Sequence, residues 1–531
     1  MVKALFTRFH NYDDTHYILL QSFFIYNNVS KFRVLQTDVK VAIIKRKFMK
    51  KLRFVLLSCL VFLFVTSCFE DLDDNAAPSA DIKDFVWKAM NAYYLYNDPQ
   101  LVPDLSNDRF GINGVNNRYE KTEAYSDYLD GFDSPEDLFE ALKFDALDPF
   151  SDIVPNYLDI LNAQEGITLS NGIEFRLYLL PGSETEVFGA ITLVLNNSVA
   201  DNLGLTRGQI FRGIDGNNLT TSNAGTLLSQ DSYTLNFADY DTNGTPEPID
   251  DTITLNGAST NLTKEAYVEN PIHTTEIISL PEFDIGYLMY NGFNANFDNS
   301  LNVAFIQFQS FGIQELVLDL RYNGGGNIQT AVHLASMITG QFNGQVFSKL
   351  FYNDNQESQN RDYEFTDRLS DNTGIASLNL SKVYVLTSAS SASASELIIN
   401  SLRPYIEVVH IGDDTAGKTQ ANRLIFDSPD FGGIDVNAAH NYALIPLIAN
   451  STNVNDGLVP AEGLTPDIEI IEVPSNLGTL GMLSDPLLAT AVNDMLNADR
   501  VSIFSDDESK QLEVIEVEAL RSPLDQLMFE N

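Results

Sequence analysis

The sequence is poor in cysteine, histidine, tryptophan and positive charge. Its 531 residues include two cysteines, Cys59 and Cys68, both in one apolar stretch near the N-terminus. The remaining chain therefore has no disulfide, no cysteine nucleophile and no cysteine-based metal site. The six histidines are His10, His16, His273, His333, His410 and His440. None has HExxH spacing or stands in a triad context, so zinc and Ser–His–Asp chemistry are unsupported. His333 is read as packing, Trp87 as core, and neither a metal nor a cofactor is expected. Lys and Arg number 32 against 73 Asp and Glu, for a net charge of −41. Residues 1–67 hold 11 of the basic and 3 of the acidic residues, which leaves 21 against 70 from Cys68 onward. Such an acidic body repels phosphate backbones, and no nucleic-acid partner is expected. The length predicts two to four folded units.

A second start is visible at Met49. Residues 1–48 precede it and are set aside as a mis-assigned upstream start. In 49–67, Lys50, Lys51 and Arg53 lead an apolar run from Phe54 to Val65. That run is short for a membrane span and fits a signal segment. It ends in Val65-Thr66-Ser67-Cys68, which resembles the lipobox of bacterial lipoproteins. The resemblance implies lipidation of Cys68 and anchoring to the outer membrane, periplasmic or surface-exposed. The acidic Glu70, Asp71, Asp73 and Asp74 resemble the surface-export signal of some Bacteroidota lipoproteins. Residues 68–80 read as a tether.

Beyond the tether the period of apolar residues changes twice. Phe85, Val86, Met90, Tyr93 and Tyr94 have helical spacing, and Ser134-Pro135-Glu136-Asp137 is a helix start. Residues 81–160 are therefore predicted as a helical N-terminal domain. From Gly166 the period is two. A strand, a short helix ending at Gly204 and the segment Gly208–Gly216 resemble, in that order, the PDZ domains attached to bacterial proteases, although Gln209 stands where those usually have Asp. The resemblance makes 165–268 a PDZ-like domain whose open edge takes a peptide C-terminus, with Gly172, Ile173 and Phe175 in the receiving loop. Asp239-Tyr240-Asp241-Thr242-Asn243-Gly244 starts like a calcium loop, but the twelfth position is Asp250 and a polar hairpin is predicted. Residues 270–475 alternate strand and helix, which is α/β text. Residues 476–531 read as a C-terminal helix and an acidic tail expected to fray from Asp506.

Three segments carry chemistry. Asp319-Leu320-Arg321-Tyr322-Asn323-Gly324-Gly325-Gly326 joins a buried strand to a helix, where glycines let backbone N–H groups face a ligand. No GK[ST] follows, so it is not a phosphate loop. Ser390-Ser391-Ala392-Ser393-Ala394-Ser395-Glu396 lies at a second strand-to-helix junction, where positive potential favours an oxyanion. Ser393 and Glu396 also have the spacing of a capping box, so these serines could simply cap the helix. Thr415-Ala416-Gly417-Lys418 follows a strand, and Lys418 can be a general base only if burial lowers its pKa.

The order of these segments, with 25 residues from Ser393 to Lys418, resembles the S41 (C-terminal processing, tail-specific) peptidases. Gly463-Leu464-Thr465-Pro466-Asp467 adds to the likeness. The resemblance implies a ClpP/crotonase-like α/β catalytic domain in a multidomain chain. It selects Ser393 as nucleophile and Lys418 as base of a serine endopeptidase. It places the oxyanion hole at Ala394 with Gly324 or Gly325. Members often carry glutamine four residues after the lysine, where this chain has Asn422, and Gln420 lies two after it; either could complete the dyad. Protein or peptide substrates and a membrane anchor are the expected partners, with no signal for an oligomeric state. The alternatives are a catalytically inactive peptide-binding lipoprotein on the same fold, and carbohydrate or lipid binding.

Overall fold

The computed structural model describes residues 79–245, 247–496, 512–517, 520 and 526–530. The signal segment, Cys68 and most of the tether lie outside the described residues. Among those described, no helix is long and apolar enough to cross a membrane.

Helix α1 (Ser79–Tyr93) is buried along nearly its whole length. Its polar side chains therefore need partners: Lys88 Nζ lies 2.9 Å from Asp84 and donates to the Arg118 carbonyl at 2.7 Å. Trp87 is buried and donates to the Asp104 carbonyl at 2.9 Å. Two further helices follow, α2 (Glu123–Leu129) and α3 (Pro135–Leu142). The predicted start of α3 is present: Pro135 stands in its first turn, and the Asp137 amide donates to Ser134 Oγ at 3.0 Å. These helices share one apolar cluster with the α/β region, including Leu288, Leu318 and Val383. They form a buttress on that region, with no separate core of their own.

The β region runs through strands β1 (Ile173–Leu179), β2 (Val187–Val194), β3 (Ile210–Ile214), β4 (Ser232–Asp241) and β5 (Thr252–Thr263), paired antiparallel in that order. Ser198 caps the predicted short helix Val199–Asn202, and β4 and β5 form the predicted hairpin around 241–252. Phe211, Ile214 and Leu235 lie in its own core.

The α/β region starts with β6 (Ile272–Ser279) and β7 (Asp284–Tyr290), then α4 (Asp298–Phe311), β8 (Glu315–Asp319), β9 (Gly326–Asn327), α5 (Ile328–Thr339), β10 (Val346–Tyr352) and β11 (Arg361–Glu364). It continues with β12 (Lys382–Thr387), α6 (Ala394–Leu402), β13 (Glu407–Gly412), β14 (Gln420–Asn422), β15 (Leu447–Asn453), β16 (Ile468–Glu469) and α7 (Pro486–Met495). One sheet has the order β6-β7-β8-β12-β13-β16, parallel from β7 onward. Its strands are apolar on both faces, as a covered parallel sheet requires. Leu316, Leu318, Val383 and Val385 face one cluster; Val317, Tyr384 and Leu386 face another, with Leu487 and Leu488 of α7.

The described residues of the C-terminal tail correct the expectation of fraying, while its start at 506–511 lies outside the described residues. Residues 514–515 form β17, antiparallel to β1, and 528–529 form β18. The second sheet has the order β9-β18-β14-β15-β10-β11, so β18 is an inner strand. Acidic composition predicted a solvated end, but Leu527 and Met528 are buried.

Candidate active site

Strands β8, β12 and β13 are adjacent and parallel. The segments that follow them therefore emerge side by side at the carboxyl edge of the sheet, and these are the three chemistry-bearing segments of the sequence.

Serines crowd the junction between β12 and the first turn of α6. Ser388 Oγ donates to the Arg321 carbonyl, Ser391 Oγ to Leu320 at 2.8 Å and Ser395 Oγ to Asn323 at 2.8 Å. Three hydroxyls thus stitch this turn to the glycine turn after β8. Ser393 is fully buried, yet its Oγ has no hydrogen-bond partner. Its backbone is at φ 63°, ψ −113°, a strained conformation for a residue with a Cβ. The capping-box outline is present, with the Ser393 amide donating to Glu396 Oε2 at 2.7 Å, but the hydroxyl is left over for chemistry. Ala394 opens the helix, where amides lack partners within the helix itself.

Lys418 is completely buried. Its Nζ donates to Asn422 Oδ1 and, at 2.6 Å, to the Gln526 carbonyl, and it lies 5.1 Å from the Phe150 ring centre. Burial drives its pKa well below the ordinary lysine value, against the opposing pull of Asp148 and Glu396. Asn422 is thus the side chain that meets the amine, while Gln420 reaches Tyr96. Ser393 Oγ and Lys418 Nζ are not hydrogen-bonded to each other here.

Glu396, which the sequence offered only as a cap, joins the two. Its Oε2 accepts from the amides of Ser393 and Lys418 (2.9 Å), and its Oε1 from the Gly417 amide at 2.7 Å and the Thr415 hydroxyl at 2.5 Å. One buried carboxylate therefore fixes both catalytic candidates.

The glycine turn closes on Ser393. A Cβ on Gly325 (φ 116°) would come within 2.6 Å of Ser393 Cβ and 2.8 Å of the Leu527 carbonyl. The Gly325 amide donates to Asn323 Oδ1 at 2.9 Å, and a Cβ on Gly324 would lie 3.1 Å from the Gln526 amide. The loop of the β region is likewise internally bonded. Gly172 donates to Ser170 Oγ at 3.0 Å and Ile173 to Asn171 Oδ1 at 3.2 Å, while Phe175 packs on Phe211. Neither of these two amides is open to a carboxylate in this arrangement.

Residues 284–470 match the family model of peptidase family S41, and residues 81–151 that of the peptidase S41 N-terminal domain. Over these residues the chain is similar to peptidase family S41. Among curated relatives, a CtpA-like serine protease of Staphylococcus epidermidis is 29% identical over 147 residues, 28% of each chain. A carboxyl-terminal-processing protease of Picosynechococcus is 26% identical over 216 residues, 41% of this chain and 46% of that one. The chain thus matches less than half the length of these curated relatives. A solved structure from Bacteroides fragilis, described as a candidate S41 protease, is 26% identical with a TM-score of 0.60. It covers 78% of this chain and 97% of its own.

A buried ion cluster ties the β region to this site. Arg321 and Arg207 share Glu472, and Arg321 also pairs with Asp319 at 2.7 Å and Asp485 at 2.8 Å. Arg207 also donates to the Tyr322 hydroxyl, in the glycine turn. Burial disfavours ionised Glu472, but the two guanidiniums outweigh it and hold its pKa down to about 2. Its stabilising contribution is complete above the ordinary carboxylate pKa and is lost as pH falls toward 2. Arg207→Ala is expected to cost about 3 kcal/mol, read from the urea midpoint, because it leaves buried carboxylates short of a partner. The variant's stability should also fall less steeply in acid than the parent's.

Proposed function

We propose that the chain is a serine endopeptidase acting on protein substrates through a Ser393–Lys418 dyad. The observation that carries this reading is the unbonded, buried Ser393 hydroxyl on a strained turn, held by one carboxylate in common with a buried lysine. Neutral Lys418 takes the Ser393 proton as Oγ bonds to the peptide carbonyl carbon. The carbonyl oxygen becomes an oxyanion facing the Ala394 amide and the glycine turn. The proton passes to the leaving amine as the C–N bond breaks. Water then attacks the acyl-enzyme, with Lys418 again as base. Asn422 orients the amine. The β region is read as a PDZ-type holder of substrate peptides, the α/β region as ClpP/crotonase-like, and Cys68 as the lipid anchor to the outer membrane. Intact Ser393 and Lys418 in these positions count against an inactive peptide-binding protein.

A fluorophosphonate probe tests the nucleophile. The chain should be labelled at Ser393, identified by mass spectrometry of the modified peptide, and Ser393→Ala should abolish both labelling and casein cleavage. Labelling of another serine, or casein cleavage that survives Ser393→Ala, would refute the assignment.

A further inference from the structure

The groove between the glycine turn and the lysine strand is filled by the chain's own C-terminus. Strand β18 is inserted between β9 and β14, parallel to both. The Gly326 amide donates to the Leu527 carbonyl at 2.7 Å, and the Glu530 amide reaches the Asn422 carbonyl at 3.4 Å. Leu527 is buried among Val154, Ile160, Phe426 and Ile445, and Phe529 packs at the edge of the same cluster. Strand addition supplies affinity through the backbone, and such pockets supply specificity. Upstream, β17 is added to β1, the edge that the sequence marked for peptide binding. The Leu179 amide donates to the Glu513 carbonyl at 2.9 Å, and Ile515, Val517 and Leu520 pack on the β-region core.

The tail is not seated as a scissile peptide. Gln526 has φ 62°, and its carbonyl accepts from Lys418 Nζ at 2.6 Å. That contact engages the base while Ser393 Oγ has no partner.

We propose that Leu512–Val517 and Gln526–Glu530 form an intramolecular competitor that occupies the peptide groove, and that substrates displace it by adding as a strand between β9 and β14 with an apolar side chain in the Leu527 pocket. The catalytic consequence rests on the peptidase reading; occupancy of the groove does not.

Two measurements separate these. In the full chain, Leu527→Asp with Phe529→Asp should raise casein kcat/KM roughly tenfold or more, because the competent fraction rises. In an otherwise identical Ser393→Ala background, a fluorescent octapeptide of residues 524–531 should bind the doubly substituted chain saturably by anisotropy and bind the chain with the native tail far more weakly. Peptide binding without casein cleavage in any form would leave the groove assignment standing and remove the peptidase reading. Casein cleavage at the parent rate, with no peptide binding and an unchanged melt, would overturn the inference and leave the peptidase. Should the substitutions unfold the chain, hydrogen exchange in the unmodified protein decides: the Gly326 amide should exchange at least about tenfold faster than amides of β8 and β12. Equal protection would show a tail that is structural only.

Discussion

Lys418→Met is expected to lower casein turnover by on the order of 10⁴-fold or more, as loss of one member of a nucleophile–base pair does elsewhere. The substitution keeps the length and apolar character of a side chain that is completely buried and removes only the titrating head. The parent's rate should rise with pH as Lys418 loses its proton. Because burial holds that pKa well below the ordinary value, the plateau should come clearly below the pH of about 10.4 at which an exposed lysine titrates. Stability carries the same signature. Unfolded Lys418 binds its proton up to that ordinary pKa, whereas folded Lys418 releases it earlier. Between the two the unfolded state binds more protons, and folding stability rises with pH. Relative to Lys418→Met, the parent should therefore gain up to about 1.4 kcal/mol per pH unit within that window and nothing above it. Urea midpoints of both proteins across neutral to alkaline pH measure this. A constant difference, together with a rate that rises only near the ordinary lysine pKa, would mean that Lys418 is not the base.

The parts of this site that were legible in the sequence are those that local chemistry determines. Apolar strands followed by glycine or serine turns announced β8 and β12, and parallel neighbours necessarily bring their following turns together. What the sequence left open depends on contacts between segments. Ser391, Ser393 and Ser395 are equivalent as text; only bonds to Leu320 and Asn323, some 70 residues away, consume two of them. Gln420 and Asn422 should share a face on a regular strand. A register shift between Ala421 and Asn422 breaks that alternation and brings Asn422 to the amine. The tail misled because its composition is acidic while its burial is local. Leu527-Met528-Phe529 is too short a run to outweigh its neighbours in a composition argument, yet two open strand edges await it. Glu396 was visible only as a helix cap, since its other three partners lie 19 to 22 residues further along the chain.

Glu396→Gln is expected to cost about 3 kcal/mol or more of stability and to lower casein kcat on the order of 10²-fold, although the side chain cannot reach substrate chemistry itself. All four groups that meet the carboxylate are donors: the amides of Ser393, Gly417 and Lys418, and the Thr415 hydroxyl. Only a group that accepts at both oxygens satisfies them. An amide presents NH₂ to one pair, so two buried donors lose their acceptor, at about 1–3 kcal/mol each. Burial already raises the Glu396 pKa, against the pull of these bonds, so the site has no slack electrostatic stabilisation to draw on. The kinetic loss follows from geometry. Ser393 and Lys418 are both suspended from Oε2 through their backbone amides, so releasing one oxygen lets the two residues of the proposed dyad drift independently, and misplacement by about 1 Å costs on this scale. A merely structural role predicts fewer folded molecules with normal turnover. A positioning role predicts slower probe labelling of Ser393 per folded molecule, measured below the melt. Full labelling rate and full turnover in folded Glu396→Gln would remove Glu396 from the positioning of the dyad.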